Sequence, residues 1–326
     1  MKIAIIKGDG IGPEVIDAAV EVLEALVPGI KLIEGEAGYG CYKRNGTPVP
    51  TETVDLCRKA DSVLFGAVTT PPGIAGYRSA IITLRKELDL YANLRPVKSH
   101  PIPQSRRNIS LAIVRENTEG FYSGIEKANG EIATAQRIIT RKASERIADF
   151  AFRLAKRHVT IVHKANVLRE TCGLFRKTAL DVASRYPHIN TDEVLVDAMA
   201  MRLIKDPENF EVIVTTNLFG DILSDEASML VGGLGLAPSG NIGDKHSVFE
   251  PVHGSAPDIA GKGVANPLAA ILSAGMMLEH LGERKNAEKL KNAVEKIMLK
   301  NILPRDLGGT AKTADVTKAV IKELCG

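Results

Sequence analysis

Val212-Ile-Val-Thr215 followed by Asn217-Leu-Phe-Gly220-Asp221-Ile-Leu-Ser-Asp225-Glu226 is the stretch on which the reading of this chain turns. The four β-branched residues make a short buried strand, and the run after them continues as a helix. Two aspartates four apart on a helix share one face, about one turn from each other. Their carboxylates can reach a common point, and hard oxygen pairs of this kind suit Mg²⁺ or Mn²⁺. The plainer alternative makes Asp221 a helix cap and leaves Asp225 solvated. What weighs against it is a second polar run some thirty residues on, Glu250-Pro-Val-His253-Gly254-Ser255-Ala256-Pro-Asp258.

Outward from this core, short β-rich runs alternate with helical patterns. Ile3–Ile6, Val63–Phe65, Ser110–Val114 and Val159–His163 read as further buried strands. Ser144–Arg157 carries Ile147, Phe150, Ala151 and Leu154 at helical spacing. Pro13 and Glu14 open a helix to about Leu26, and Leu268–Leu281 and Ala287–Leu299 flank Gly282. The alternation predicts an α/β protein with an open, largely parallel sheet. The Pro/His/Ser-rich stretch Pro96–Arg107 reads as a linker or crossover, and Gly232–Gly240 as a second boundary.

Composition bounds the function. At 326 residues, with 44% hydrophobic and 25% charged content, the chain is an ordinary globular protein of one large or two medium domains. A net charge of +3, with no basic run interleaved with aromatics, gives no reason to expect nucleic acid. No segment approaches the ~18 uninterrupted apolar residues of a membrane span, and the apolar start is too short for a signal peptide. Cys41, Cys57, Cys172 and Cys325 are scattered without C-x-x-C spacing. They read as reduced thiols, which points to the cytoplasm.

Several polar residues stand where chemistry would need them. Arg85, Arg95 and Arg115 are forked cations suited to a small polycarboxylic acid, although a lone arginine is usually a solvated surface charge. Arg115 ends an apolar strand, where open α/β sheets carry ligands. Lys164 follows the strand ending at His163 and could act as a general base. Tyr122 could supply a proton to a carbanion or enol, or be structural. The loop from His253 to Asn266 could hold an adenine and a ribose, Asp258 repelling a 2′-phosphate. Gly8-Asp-Gly10-Ile-Gly12-Pro-Glu14 fails the dinucleotide pattern at Pro13 and reads instead as a tight strand–helix turn.

Together these residues resemble the β-decarboxylating dehydrogenases, the isocitrate and isopropylmalate dehydrogenase family, over essentially the whole chain. The runs Asn217–Glu226 and Glu250–Asn266 carry the resemblance most specifically. It implies a two-domain, non-Rossmann fold. A discontinuous cofactor-binding domain would cover 1–98 and 233–326, and a central domain 99–232 would make a homodimer or higher oligomer. It also implies that Arg85, Arg95 and Arg115 hold the malate carboxylates. Asp221 and Asp225, with Asp197 reaching in from the partner subunit, would bind Mg²⁺ or Mn²⁺, and Lys164, also from the partner, would assist removal of the hydroxyl proton. Tyr122 would protonate the enolate, Asn166 would lie near the nicotinamide, and His253 and Asn266 would meet the adenine. Asp258 stands where NADP-using members carry lysine, so NAD⁺ is the expected cofactor.

Substrate choice falls on Gly76-Tyr-Arg78-Ser79-Ala-Ile81-Ile82-Thr-Leu-Arg85. Ile81 replaces the asparagine of isocitrate enzymes, while Ile81-Ile82 matches the apolar pair that receives an isopropyl group. An apolar pocket rejects a charged γ-carboxylate through its desolvation. The expectation is therefore 3-isopropylmalate and leucine biosynthesis. Homoisocitrate is the alternative, because Arg78 could reach a distal carboxylate. A fold retained without activity, or a metal-dependent phosphoesterase, would leave part of this residue set unexplained.

Overall fold

The computed structural model describes residues 1–74 and 77–325. Their strands are β1 Lys2–Gly8, β2 Lys31–Glu34, β3 Ser62–Ala67, β4 Ala92–Lys98, β5 Ser110–Glu116, β6 Glu126–Ala128, β7 Ala133–Ala135, β8 His158–His163, β9 Asn190–Leu195, β10 Val212–Thr215, β11 Pro238–Ile242 and β12 Ser247–Pro251. The helices are α1 Gly12–Leu26, α2 Tyr39–Asn45, α3 Thr51–Lys59, α4 Ala80–Glu87, α5 Arg141–Leu154, α6 Thr171–Ala183, α7 Val196–Lys205, α8 Asn217–Met229, α9 Leu268–His280, α10 Arg284–Leu299 and α11 Thr313–Cys325. The chain divides into two compact units. The first is built from Met1–Leu90, His100–Arg106 and the segment from Gly232 on, and the second from Tyr91–Ser99 and Arg107–Val231.

In the first unit the strands run β2-β1-β3-β12-β11, parallel except for β11, which is antiparallel to β12. In strand β1 the run Ile3–Ile6 is apolar without a break. Ile3 and Ile5 enter one core with α1, α9, α10 and α11, while Ala4 and Ile6 enter another with Phe65, Leu84 and Leu88. Alternate side chains point to opposite faces, so a strand covered on both sides needs a continuous apolar run.

The second unit has the order β4-β5-β10-β8-β9, parallel apart from the β4–β5 pair. Ile113, Ile213, Val162, Leu203 and Leu223 meet in its core. β6 and β7 form a separate two-stranded ribbon with every residue exposed. No helix among the described residues is long and apolar enough to cross a membrane.

Two sequence expectations need correction. The expected linker Pro96–Arg107 starts inside β4, whose register runs from Ala92 opposite Glu116 to Lys98 opposite Ser110. The helix expected to reach Arg157 stops at Leu154, because Ala155 turns extended and Glu211 accepts from the amides of Lys156, Arg157 and His158. A carboxylate from outside the helix offers those amides better partners than another helical turn would.

Candidate active site

Helix α8 begins at Asn217, with Thr216 extended before it, so Asp221 sits beyond the first turn and is not the cap. Asn217, Asp221 and Asp225 succeed each other at intervals of four and share a face. Two arginines from neighbouring strands meet that face. Arg115, 1% exposed near the end of β5, donates Nε and Nη2 to Asn217 Oδ1 at 2.9 and 2.7 Å, and Nη1 to Asp221. Arg95 on β4 donates Nε to Asn93 Oδ1 at 2.8 Å and Nη1 to Ser224 Oγ at 2.7 Å. Its Nη1 also meets Asp225 at 3.0 Å and its Nη2 meets Asp221 at 3.3 Å. Gly220 makes this approach possible, since a Cβ there would come within 2.6 Å of the Arg115 side chain.

Tyr122, on a 3₁₀ turn at Phe121–Ser123, donates its hydroxyl to Asp221 Oδ2 at 2.6 Å, and the Arg115 guanidinium lies 5.0 Å over its ring. Burial raises the Tyr122 pKa, Arg115 opposes it and Asp221 adds to it, so the phenol stays protonated at neutral pH. About half of the Asp225 side chain is exposed. The covered half pushes its carboxyl upward, with Arg95 pulling it down and Asp221 adding to the rise.

One guanidinium already lies between the carboxylates of Asp221 and Asp225, so the pair can face a single positive centre. An all-oxygen donor set of this kind fits Mg²⁺ or Mn²⁺. Among the described residues no three His, Cys, Asp or Glu side chains of one chain gather into a metal-binding group. Asp197, at the start of α7, is instead paired with Lys164, Nζ to Oδ1 2.5 Å. Lys164 follows β8 directly, and Asn166 beyond it is exposed.

The remaining sequence candidates lie in the first unit. Arg85 on α4, 7% exposed, donates Nη2 to Glu250 Oε1 at 3.1 Å, and Asn241 Nδ2 donates to the same oxygen at 2.8 Å. Arg85 Nε is buried without a partner, a donor left over for an anion. Ile81 and Ile82 are partly buried one turn before Arg85, and Ile81 also packs on the core. Ser79 is buried, and Arg78 is exposed and lowers the pKa of Lys86, whose main cause of lowering is burial. Gly76, which opens this segment, lies outside the described residues.

The polar loop after β12 is held from below by the glycine turn. Ile11 N donates to Ser255 O at 2.8 Å, and Thr69 Oγ1 bonds Ser255 Oγ at 2.8 Å. Gly10, at φ +60°, lies so close to Ser255 that no Cβ would fit. Asp9 accepts from the amides of Tyr39, Gly40 and Thr69, and Glu14 from those of Gly263 and Ala265. The turn thus packs as the tight strand–helix connection expected of it.

His253 faces its Nδ1 to Gly254 O at 3.0 Å, which makes that nitrogen the donor and leaves Nε2 an acceptor. Nε2 is buried without a protein partner, and burial lowers the pKa of the ring. An orphaned buried acceptor is what a nucleobase amino group would satisfy, so the loop fits a dinucleotide. Gly254 and Asp258 are exposed, and Ala256 adopts φ +35°. Asn266 is committed at both ends, donating to Asp306 at 2.9 Å and accepting from Leu268 N at 2.9 Å at the start of α9.

Sequence reasoning passed over Asn217, Ser224, Asn93 and Glu250. Asn217 was legible, being four residues before Asp221 on the same helix face. Asn93 stands two residues before Arg95 on one strand and so shares its face. Glu250, 165 residues from Arg85, offered no local signal.

Comparisons with known proteins converge on one family. Residues 2–320 match the family described as isocitrate/isopropylmalate dehydrogenase. An isocitrate/homoisocitrate dehydrogenase of Thermus thermophilus is 53% identical, the alignment covering 99% of this chain and 98% of that protein. A 3-isopropylmalate dehydrogenase of Methanothermobacter thermautotrophicus is 50% identical at the same coverage. The crystal structure of isocitrate dehydrogenase from Methylococcus capsulatus superposes with a TM-score of 0.95 at 44% identity, covering 100% of this chain and 99% of that one.

Proposed function

The chain belongs to the isocitrate/isopropylmalate dehydrogenase family, and from that premise we propose that it oxidatively decarboxylates 3-isopropylmalate to 4-methyl-2-oxopentanoate with NAD⁺, in cytoplasmic leucine biosynthesis. The observation that carries the substrate choice is Ile81-Ile82, four and three residues before Arg85 on α4. Side chains at those intervals share a helix face, so an alkyl substituent would lie beside a carboxylate held by Arg85.

In this reading Arg95 and Arg115 exchange part of their Asp221 and Asp225 contacts for substrate carboxylates, and Arg85 also binds a carboxylate. A divalent cation at Asp221 and Asp225 would polarise the C2 oxygen and stabilise the charge that develops there. NAD⁺, held by the His253 loop, would supply the acceptor for the C2 hydride, Lys164 would assist removal of the hydroxyl proton, and Asp197 of the partner subunit would complete the cation's carboxylates. Loss of the β-carboxylate as CO₂ leaves an enolate, and Tyr122, kept protonated by burial, returns a proton at C3. Lys164 and Asp197, paired with each other within the chain, would in a homodimer serve the partner's site.

Homoisocitrate is the second reading. Arg78 is exposed and close enough to Lys86 to depress it, so two cations stand on the recognition element. The isocitrate/homoisocitrate activity named for the Thermus relative points the same way. The deciding measurement is kcat/KM for 3-isopropylmalate, homoisocitrate and isocitrate with NAD⁺ and Mg²⁺, on wild type and Arg78→Ala. A preference for isopropylmalate that ignores Arg78 is expected. A preference for homoisocitrate that collapses with Arg78→Ala would replace the first reading by the second.

A further inference from the structure

We propose that His163 is a positioning residue of the reaction: its imidazole fixes the backbone between Lys164 and Asn166 and so sets how both side chains leave the end of β8. This rests on the reading that Lys164 handles the hydroxyl proton. The ladder between β8 and β9 ends at His163 opposite Leu195, and that between β8 and β10 ends at Val162. Ala165 therefore lies past the last paired residue, and its amide has lost the partner a strand would supply. His163 Nδ1 supplies one, accepting from Ala165 N at 3.1 Å. The following turn closes on Lys164, whose carbonyl accepts from Val167 N and Leu168 N at 3.1 and 2.8 Å.

The ring is itself braced. With Nδ1 accepting, Nε2 carries the proton and donates it to Glu193 Oε2 at 3.2 Å. Glu193 stands opposite Ile161 on β9, which places it on the same sheet face as His163. Its other oxygen accepts from Arg176 Nη2 of α6 at 2.7 Å, and Arg176 Nε reaches Oε2. His163 is 6% exposed, and burial holds its pKa down against the pull of Glu193, so the ring keeps the neutral form in which Nδ1 can accept. A buried strand-end residue with a purely apolar duty would need neither nitrogen. Here both are used, one on the backbone beside the proposed base and one on a carboxylate that an arginine holds in place.

Asparagine places an amide oxygen near Nδ1, and glutamine places its amide nitrogen near Nε2. The test is steady-state kinetics with Mg²⁺ and NAD⁺ on His163→Asn, His163→Gln and His163→Leu, with thermal midpoints, alongside Lys164→Gln. His163→Asn should keep kcat within about threefold of wild type. His163→Gln and His163→Leu should lose about 100-fold, the scale of a base displaced by about 1 Å, with KM for the hydroxy acid nearly unchanged. Equal losses in the asparagine and glutamine variants, or losses that merely follow the thermal midpoints, would overturn the proposal. Lys164→Gln with wild-type turnover would remove the reading of Lys164 and this proposal with it. An inactive Lys164→Gln beside equal His163→Asn and His163→Gln would remove the proposal alone. Hydrogen exchange at the Ala165 amide checks the contact without any variant: protection is expected, and exchange at the rate of a free amide would overturn it.

Discussion

At the scale of single residues, the acidic face of α8 balances two buried guanidinium groups before any ligand arrives. Asp221 accepts from Arg95, Arg115 and Tyr122 at once, so its charge is worth more than one hydrogen bond. In Asp221→Asn the amide oxygen still accepts from Arg115 but cannot neutralise it. Turnover should fall about 1,000-fold or more, because electrostatic stabilisation in a site is lost, while stability drops by only about 1–3 kcal/mol. Metal titrations of kcat beside thermal unfolding separate the two effects, and unchanged activity across the titration would remove the cation from Asp221. Glu119 makes a different prediction. Burial pushes its carboxyl up to about 7, with Glu116 adding and the Thr140 bonds and Arg146 opposing. A carboxyl raised in the folded state favours folding at low pH, and that advantage is lost as pH rises from the unfolded value near 4.5 through 7. The loss is about 3 kcal/mol. Glu119→Gln mimics the protonated acid, accepting from Thr140 N and donating to Thr140 Oγ1. Urea denaturation at pH 5 and pH 8 should show a smaller fall for the variant than for wild type; equal falls would place the titration elsewhere.

At the scale of elements, α8 carries a glycine where helix propensity alone would prefer alanine. In an exposed helix Gly→Ala would gain up to about 1 kcal/mol. At position 220 the added methyl would meet Cβ and Cγ of Arg115 at 2.6 and 2.7 Å. Gly220→Ala should therefore shift the guanidinium off Asn217 and raise KM for the hydroxy acid at least about tenfold, the scale of one lost charge-assisted hydrogen bond. Substrate titration of the purified variant checks this, and an unaltered KM would mean that the helix can slide away from β5. The glycine turn between β1 and α1 shows the same division of labour. Its sequence resembles a phosphate cradle, yet Gly10 serves the packing against Ser255, Gly8 and Gly12 the packing against Ala67, and the acids Asp9 and Glu14 hold amides such as those of Thr69 and Gly263.

At the scale of the whole molecule, the candidate residues divide between the two units. Arg85 and the His253 loop belong to the first, and Arg95, Arg115, Tyr122 and the aspartates to the second. Lys164 and Asp197 are paired with each other within the chain, and the proposed dimer has them act in the partner's site. Isologous symmetry then gives a direct test. Lys164→Gln and Asp221→Asn chains, each inactive alone, should regain roughly a quarter of wild-type turnover when refolded together, since half the dimers are mixed and each mixed dimer keeps one intact site. No recovery in dimers shown to be mixed would return Lys164 to its own chain's site.

The periodicity of the chain was enough for the class of fold. Strand β10 falls at Val212–Thr215 as its β-branched run predicts, and α1, α9 and α10 follow their apolar spacing. The α8 aspartates were legible for the same reason, because a spacing of four on a helix fixes a common face without help from elsewhere. Local pattern did not extend to β4, which carries Pro96, or to β11, Pro238-Ser-Gly-Asn-Ile242, whose composition reads as loop. Those segments are strands because neighbours pair with their backbones, and pairing depends on residues far away in sequence. The same holds for the partners of the site. Arg85 finds Glu250 across 165 residues, Arg115 finds Asn217 across 102, and the His163 ring finds Glu193 across 30. Residue type shows which side chains can bind a carboxylate, a cation or an amide, and only the packed chain decides which of them meet.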